Sequence, residues 1–176
     1  MTGAATGAVI RPIREADLAG YLACLDRVAR ERIYLAFAEA PSPEQVQSFL
    51  GQMIRRGLPF VVAEHEAAIV GWCDIFAAAD SGQRPGFGHV GRLGMGLDEG
   101  HRRQGLGEAM LRAVLDLTAG CNIERVELEV YASNEPAIAL YRKFGFETEG
   151  TRRRARKLDG RYDDILMMAR LRPPQM

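Results

Sequence analysis

Four glycines fall within residues 88–96, in a stretch, FGHVGRLGMGLD, that otherwise alternates imperfectly as a strand. Behind it the chain reads GHRRQGLGEAML: two arginines, two more glycines, then an apolar helical run. A strand so poor in Cβ atoms marks a bulge or a place where a ligand's backbone comes close. The turn that follows begins a helix, so several of its amides lack intrahelical partners and carry partial positive charge. Gly105 and Gly107 leave that main chain open to an anion, and Arg102 and Arg103 add charge at the rim. The hexapeptide RRQGLG is neither a P-loop, which needs G-x-x-x-x-G-K-[ST], nor a dinucleotide fingerprint, which needs G-x-G-x-x-G and a downstream acid. By itself it allows two readings, an anion site or a glycine-lined turn required only by backbone geometry.

The flanking segments limit the fold further. AVIRPI reads as an edge strand that tolerates its proline. EADLAGYLACLDRVARER carries apolar residues at 18, 21, 22, 25 and 28, a helical stripe. SPEQVQSFLGQMIRR is a second helix with Ser42 as cap and Pro43 in the first turn. PFVVAEH and AAIVGWCDIFAA are strands joined by a short turn, and ADSGQRPG is a loop. LGEAMLRAVLDLTAG is the strongest helix, with Leu106, Met110, Ala113 and Leu117 on one face and Gly120 as its stop. ERVELEV alternates with Val126, Leu128 and Val130 inward. NEPAIALYRKFGF is a helix, and the remainder is two strands joined at LDG. The order is β-α-α-β-β-β-α-β-α-β-β, an α/β sandwich around one sheet and not a steady β-α alternation. At 176 residues this is expected to be a single domain, residues 1–176, with its core at about 8–171.

Lys+Arg and Asp+Glu both number 23, so electrostatic function has to be local, and neither nucleic acid nor a membrane surface is an expected partner. The basic run RRRARK, residues 152–157, reads as a solvated hairpin face. Cys24, Cys73 and Cys121 are unpatterned and read as buried, reduced thiols of a cytoplasmic chain. His65, His89 and His101 share no ligand spacing, and no metal site is expected. MTGAATGAV has neither the basic nor the apolar region of a signal peptide.

Two blocks together resemble the GNAT acetyltransferase superfamily. The first is the strand GRLGMGLD followed by R-x-x-G-x-G and an apolar helix. The second is VELEVYASNEPAIALYRKFGFETEG, with its Asn, its A-I-x-L-Y-x-K-x-G-F helix and its closing E-G. The resemblance covers about residues 8–171 and implies a GNAT-type mixed, mostly antiparallel central sheet with helices on both faces. It implies acetyl-CoA as co-substrate, its pyrophosphate on the amides of Arg102, Arg103, Gln104, Gly105, Leu106 and Gly107. The pantetheine arm would lie as an added strand beside Met95, Gly96 and Leu97. Asn134 matches a position that reaches toward the cofactor, and it also suits the cap of the helix that follows.

The reaction implied is direct attack of an amine on the acetyl thioester. Tyr141 matches the residue that gives the leaving thiolate its proton or hydrogen bond; a packing role for it is the alternative. An amide near Met95 would polarise the thioester oxygen. HVGRLGM offers no carboxylate as base, and Glu127, Glu129 and His89 read as ordinary strand residues, so a water relay is the expected route for the proton. That favours a weakly basic α-amine over a lysine side chain, with a free amino acid intermediate. Glu149, Gly150 and Arg153, then Gly160, Tyr162, Asp164, Leu166 and Met168, resemble a branch that acetylates small amines and amino acids. Glu31 and Tyr34 are candidate substrate-pocket residues, or part of an exposed helix face. The expected partner is a small-molecule amine, and a homodimer is compatible with the reading. The alternatives are an acetyltransferase for protein N-termini of the ribosomal-protein type and a non-catalytic CoA-binding module.

Overall fold

A computed structural model describes residues 7–77 and 86–172. Its strands are β1 (Val9–Pro12), β2 (Phe60–His65), β3 (Ala68–Ala77), β4 (Val90–Leu97), β5 (Arg125–Tyr131), β6 (Glu147–Leu158) and β7 (Arg161–Leu171). Its helices are α1 (Leu18–Arg30), α2 (Pro43–Arg55), α3 (Leu106–Leu117) and α4 (Glu135–Lys143). The element order is the one expected, with short 3-10 turns added before α1, before the glycine turn and after α3. The seven strands are ordered β1-β2-β3-β4-β5-β7-β6. β1–β2, β2–β3, β5–β7 and β6–β7 pair antiparallel, whereas β4 and β5 pair parallel from Val90↔Arg125 to Arg92↔Glu127. The loop expected at ADSGQRPG lies almost wholly outside the described residues. Among those described, no helix is long and apolar enough to cross a membrane.

The described chain divides into two compact units. One comprises the chain up to Phe76 together with Gly94–Cys121, the other Ala77–Leu93 and the chain from Asn122 onward. In the first unit, strand alternation sorts side chains between two layers. Phe60, Val62 and Trp72 project into a core with Tyr21, Leu25 and Val28 of α1 and Val46, Leu50 and Met53 of α2. Gly71, one residue before Trp72, faces the other way, where a Cβ would stand 3.1 Å from Met110 Cε of α3. Helices therefore cover both faces of β3.

Local chemistry explains where the helices begin. Ser42 Oγ accepts from Gln45 N at 3.3 Å and Gln45 Oε1 accepts from Ser42 N at 3.0 Å, a reciprocal cap with Pro43 in the first turn. Arg11 joins β1 to its surroundings through Asp17 (2.7 Å) and Glu64 (2.6 Å), and its guanidinium holds the Asp17 carboxyl below the usual carboxylate range. The buried face of α3 differs from expectation. Leu106, Met110, Leu111, Val114 and Leu115 are buried, while Leu117, in the last turn, is 42% exposed. Cys24 and Cys73 are buried as expected, but Cys121 is only half-buried, its thiol near the Gly57 and Leu117 carbonyls.

In the second unit, Val126, Leu128 and Val130 of β5 are buried as expected. Asp159 and Gly160, at φ 48° and 79°, make the tight turn between β6 and β7. RRRARK lies on the mostly exposed β6. Arg152 pairs with Glu129, and Arg156 sits 4.2 Å over the Tyr131 ring. The terminal motif residues do structural work here. A Cβ on Gly150 would stand 2.6 Å from Met167 Cε. Asp164 Oδ1 accepts from the amide of Arg154, a residue at φ 51° inside an irregular stretch of the β6–β7 ladder.

Candidate active site

Two features of the first unit can do chemistry: the start of α3 and a cavity beside β3 and β4. Gly105, at φ 84°, is the N-cap of α3 and offers no side-chain cap. A Cβ there would meet nothing within 4 Å, so glycine is required by the backbone angle and not by crowding. The first bond of the helix runs from Ala109 N to Gly105 O at 3.0 Å. The amides of Leu106 and Gly107 precede it, in the first turn, where main-chain N–H groups have no acceptor within a helix. The helices α2 and α4 present the contrast, capped by Ser42 Oγ and by Asn134 Oδ1, which accepts from Ala137 N at 3.3 Å. An uncapped, glycine-led helix start fits an anion bound by main-chain amides.

The side chains of this turn hold it in shape. Arg102 donates to the Leu97 carbonyl at 2.9 Å and to both oxygens of Glu31 at 2.8 and 2.6 Å, with its guanidinium 4.6 Å over the Tyr34 ring. Glu31, Tyr34 and Arg102, separately singled out in the sequence, thus form one cluster that ties the segment after α1 to the end of β4. Gln104 bonds the Gly100 carbonyl at 2.9 Å. Arg103 is exposed at φ 59°. Leu106 contributes a fully buried side chain to the core and only its amide to the turn. His65 and His101, unrelated in sequence spacing, come together at 3.3 Å. Among the described residues no group of three metal-ligating side chains forms.

The cavity encloses about 410 Å³, within the range of small-molecule sites. α1 supplies Tyr21 and Leu25, α2 supplies Val46 and Phe49, β3 supplies Trp72, Asp74 and Phe76, and β4 supplies Gly94 and Met95. Of the expected site residues only Met95 lines it. The glycines of β4 have a reason that the sequence did not reveal. A Cβ on Gly96 would lie 2.1 Å from the Trp72 ring, and one on Gly94 would lie 3.1 Å from Asp74 Oδ2. Both positions are bare because β3 side chains fill the space.

Asp74 is the residue that sequence reasoning missed. The residue is 4% exposed, and burial raises its carboxyl to about 8. Tyr21, packed edge-on against Phe60 and Trp72 at 5.2 and 5.8 Å, has its hydroxyl pushed up by burial and then by the charge of Asp74. The carboxylates considered from sequence are committed elsewhere. Glu127 pairs with Arg125 at 2.8 Å, and Glu129 with Arg152. In the second unit Tyr141 is buried at 7% and its ring lies 5.8 Å from that of Phe146.

Residues 20–146 match the sequence model of the Acetyltransferase (GNAT) family. An L-amino acid N-acetyltransferase of Escherichia coli (strain K12) is 30% identical over 161 residues, 91% of this chain and 97% of that protein. The crystal structure of a GNAT-family acetyltransferase from Streptococcus pneumoniae superimposes with a TM-score of 0.84 at 25% identity, covering 94% of this chain and 99% of that one. A phosphinothricin acetyltransferase of Sinorhizobium meliloti, solved in complex with acetyl-CoA, shares the fold. Its TM-score is 0.82 at 23% identity, covering 94% of this chain and 88% of that one.

Proposed function

The chain belongs to the GNAT acetyltransferase family, and from that premise we propose how its own residues divide the work of acetyl-CoA-dependent N-acetylation of a small primary amine. The amides at the start of α3 take the pyrophosphate of acetyl-CoA. Gly105 turns the main chain toward it, and the Arg102–Glu31 pair fixes the turn. The main chain of β4 from Met95 to Leu97 receives the pantetheine arm, and an amide near Met95 polarises the thioester oxygen. Tyr141 supplies the proton or hydrogen bond that the departing thiolate needs. A phenol with an ordinary pKa of about 10 does this without itself being ionised at neutral pH.

The acceptor is a small primary amine, amino acids among the class, as the name of the Escherichia coli relative gives for that protein. The observation that carries this reading is the cavity of about 410 Å³ whose wall includes Gly94 and Met95, the strand to which the thioester is assigned. A volume of that order holds one drug-sized molecule. The test is thiol release from acetyl-CoA with a panel of amines, amino acids and peptides, with products identified by mass spectrometry. Acetylated small amines are expected. Acetylation of peptides alone would assign the protein to the N-terminal acetyltransferases instead.

A further inference from the structure

The reaction must dispose of the ammonium proton of its acceptor, and the sequence offered no group for that. The cavity does. Trp72, Asp74 and Phe76 alternate onto the same side of β3, and the carboxyl of Asp74 lies against Gly94, which has no side chain to cover it. Around it the wall is apolar and aromatic: Leu25, Phe37, Val46, Phe49, Phe76 and Met95. The other polar side-chain groups of the described lining are the Tyr21 hydroxyl from α1, the Trp72 indole N–H from β3 and Gln45 from α2, and the Gln45 oxygen is engaged by Ser42 N. No described residue of the lining carries a positive charge. A carboxyl buried in such a wall is costly to ionise unless a cation joins it.

Resting on the reading above, we propose that Asp74 anchors the acceptor as its ammonium ion and accepts its proton, and that the surrounding wall selects primary amines with a bulky apolar substituent. One of the three ammonium protons passes to the Asp74 carboxylate and later to solvent. The freed nitrogen lone pair forms the C–N bond to the thioester carbon. The C–S bond breaks, its electron pair leaving on sulfur, and a second proton lost by the nitrogen ends on that sulfur through Tyr141. The third proton remains on the amide. Burial places the Asp74 carboxyl at about 8, close to the range of an α-amine, so transfer between them is nearly balanced in energy. Tyr21 is the titratable group facing Asp74 from α1, and its hydroxyl stays protonated through that range.

Four measurements test this. With the unaltered protein, kcat/KM for phenylalaninamide should exceed that for glycinamide at least ~10-fold, since the two differ only in the apolar side chain; equal or reversed values would overturn the selectivity. Beside the acceptor's own ionisation, the pH profile of kcat/KM should carry one near 8 that stays in place when phenylalaninamide is replaced by the more basic phenethylamine; absence of any ionisation common to the two acceptors would overturn the role of Asp74. The isosteric Asp74→Asn variant should keep CoA binding by calorimetry, lose that ionisation and lower kcat/KM about 100-fold or more. Trp72 lines the same cavity and is the chain's single tryptophan, so its emission reports phenethylamine binding without acetyl-CoA. That binding should weaken at least ~10-fold in Asp74→Asn, and unchanged binding and turnover would overturn the proposal. Should the variant fail to bind CoA, the two measurements on the unaltered protein decide. Absence of thiol release with every amine would overturn the parent reading itself, which is a different result from release that ignores Asp74.

Discussion

A carboxyl raised by burial links stability to pH in a direction opposite to that of a salt-bridged acid. Asp74 has its pKa raised from 3.8 in the unfolded chain to about 8 in the fold. The folded state therefore holds the proton more tightly, and stability is lost as pH rises from about 4 through about 8. Asp74→Asn removes that penalty. Its melting temperature relative to the unaltered protein is expected to rise between pH 5 and pH 8.5, by at least about 2 °C, the shift that ~1 kcal/mol produces in a chain of this size. A constant difference across that range would show that Asp74 ionises as freely folded as unfolded. Gly96 is the second decisive residue. A methyl group at 2.1 Å from Trp72 cannot be accommodated without moving the ring, so Gly96→Ala should cost about 1–3 kcal/mol or more and shift the emission of the single tryptophan. Thermal melts and fluorescence spectra of the variant check both.

Among the elements, α2 and α3 begin in opposite ways, and the difference separates scaffold from site. Ser42 closes α2 with its own side chain, so Ser42→Ala should cost about 1 kcal/mol without changing the affinity for CoA. Gly105 leaves α3 open. Gly105→Ala forces a side chain into a left-handed backbone, at about 1–2 kcal/mol, and should weaken CoA binding as the turn relaxes. Melting curves paired with calorimetry distinguish the two. Helix starts of this kind were legible in the sequence, because Ser-Pro and a glycine pair before an apolar run each have a local mechanism. Alternation likewise revealed the inward face of β5. On β3 it failed, because the strand is buried on both faces from Ile69 to Ile75 and shows no polar side to orient it. The available signal for Asp74 was simpler: it is the lone charged residue among the ten of β3. The glycines of β4 read as a bulge or as a close approach by a ligand, and packing supplies a further reason at Gly94 and Gly96, where a Cβ would meet Asp74 and Trp72. Which side chain fills an empty place is a property of packing between strands, and no local pattern carries it.

For the whole molecule, the order of elements indicated an α/β sandwich around one sheet, and the mixed, mostly antiparallel pairing was implied only by the resemblance of the two motif blocks to a family. Catalysis depends on chemistry distributed along the chain. Tyr141→Phe keeps the packing of the ring on Phe146 and removes only the hydroxyl, so it should lower thiol release about 100-fold while leaving CoA affinity nearly unchanged. Full turnover by the variant would return Tyr141 to a packing role. The central claim is that main-chain amides at the glycine-led start of α3 hold a diphosphate. Titration calorimetry with acetyl-CoA and with acetyl-pantetheine, which has the same thioester arm but no diphosphate, tests it most directly. The account requires clear heat for acetyl-CoA and affinity at least ~100-fold weaker for acetyl-pantetheine, the scale of several charge-assisted hydrogen bonds. Equal affinity for the two would contradict it.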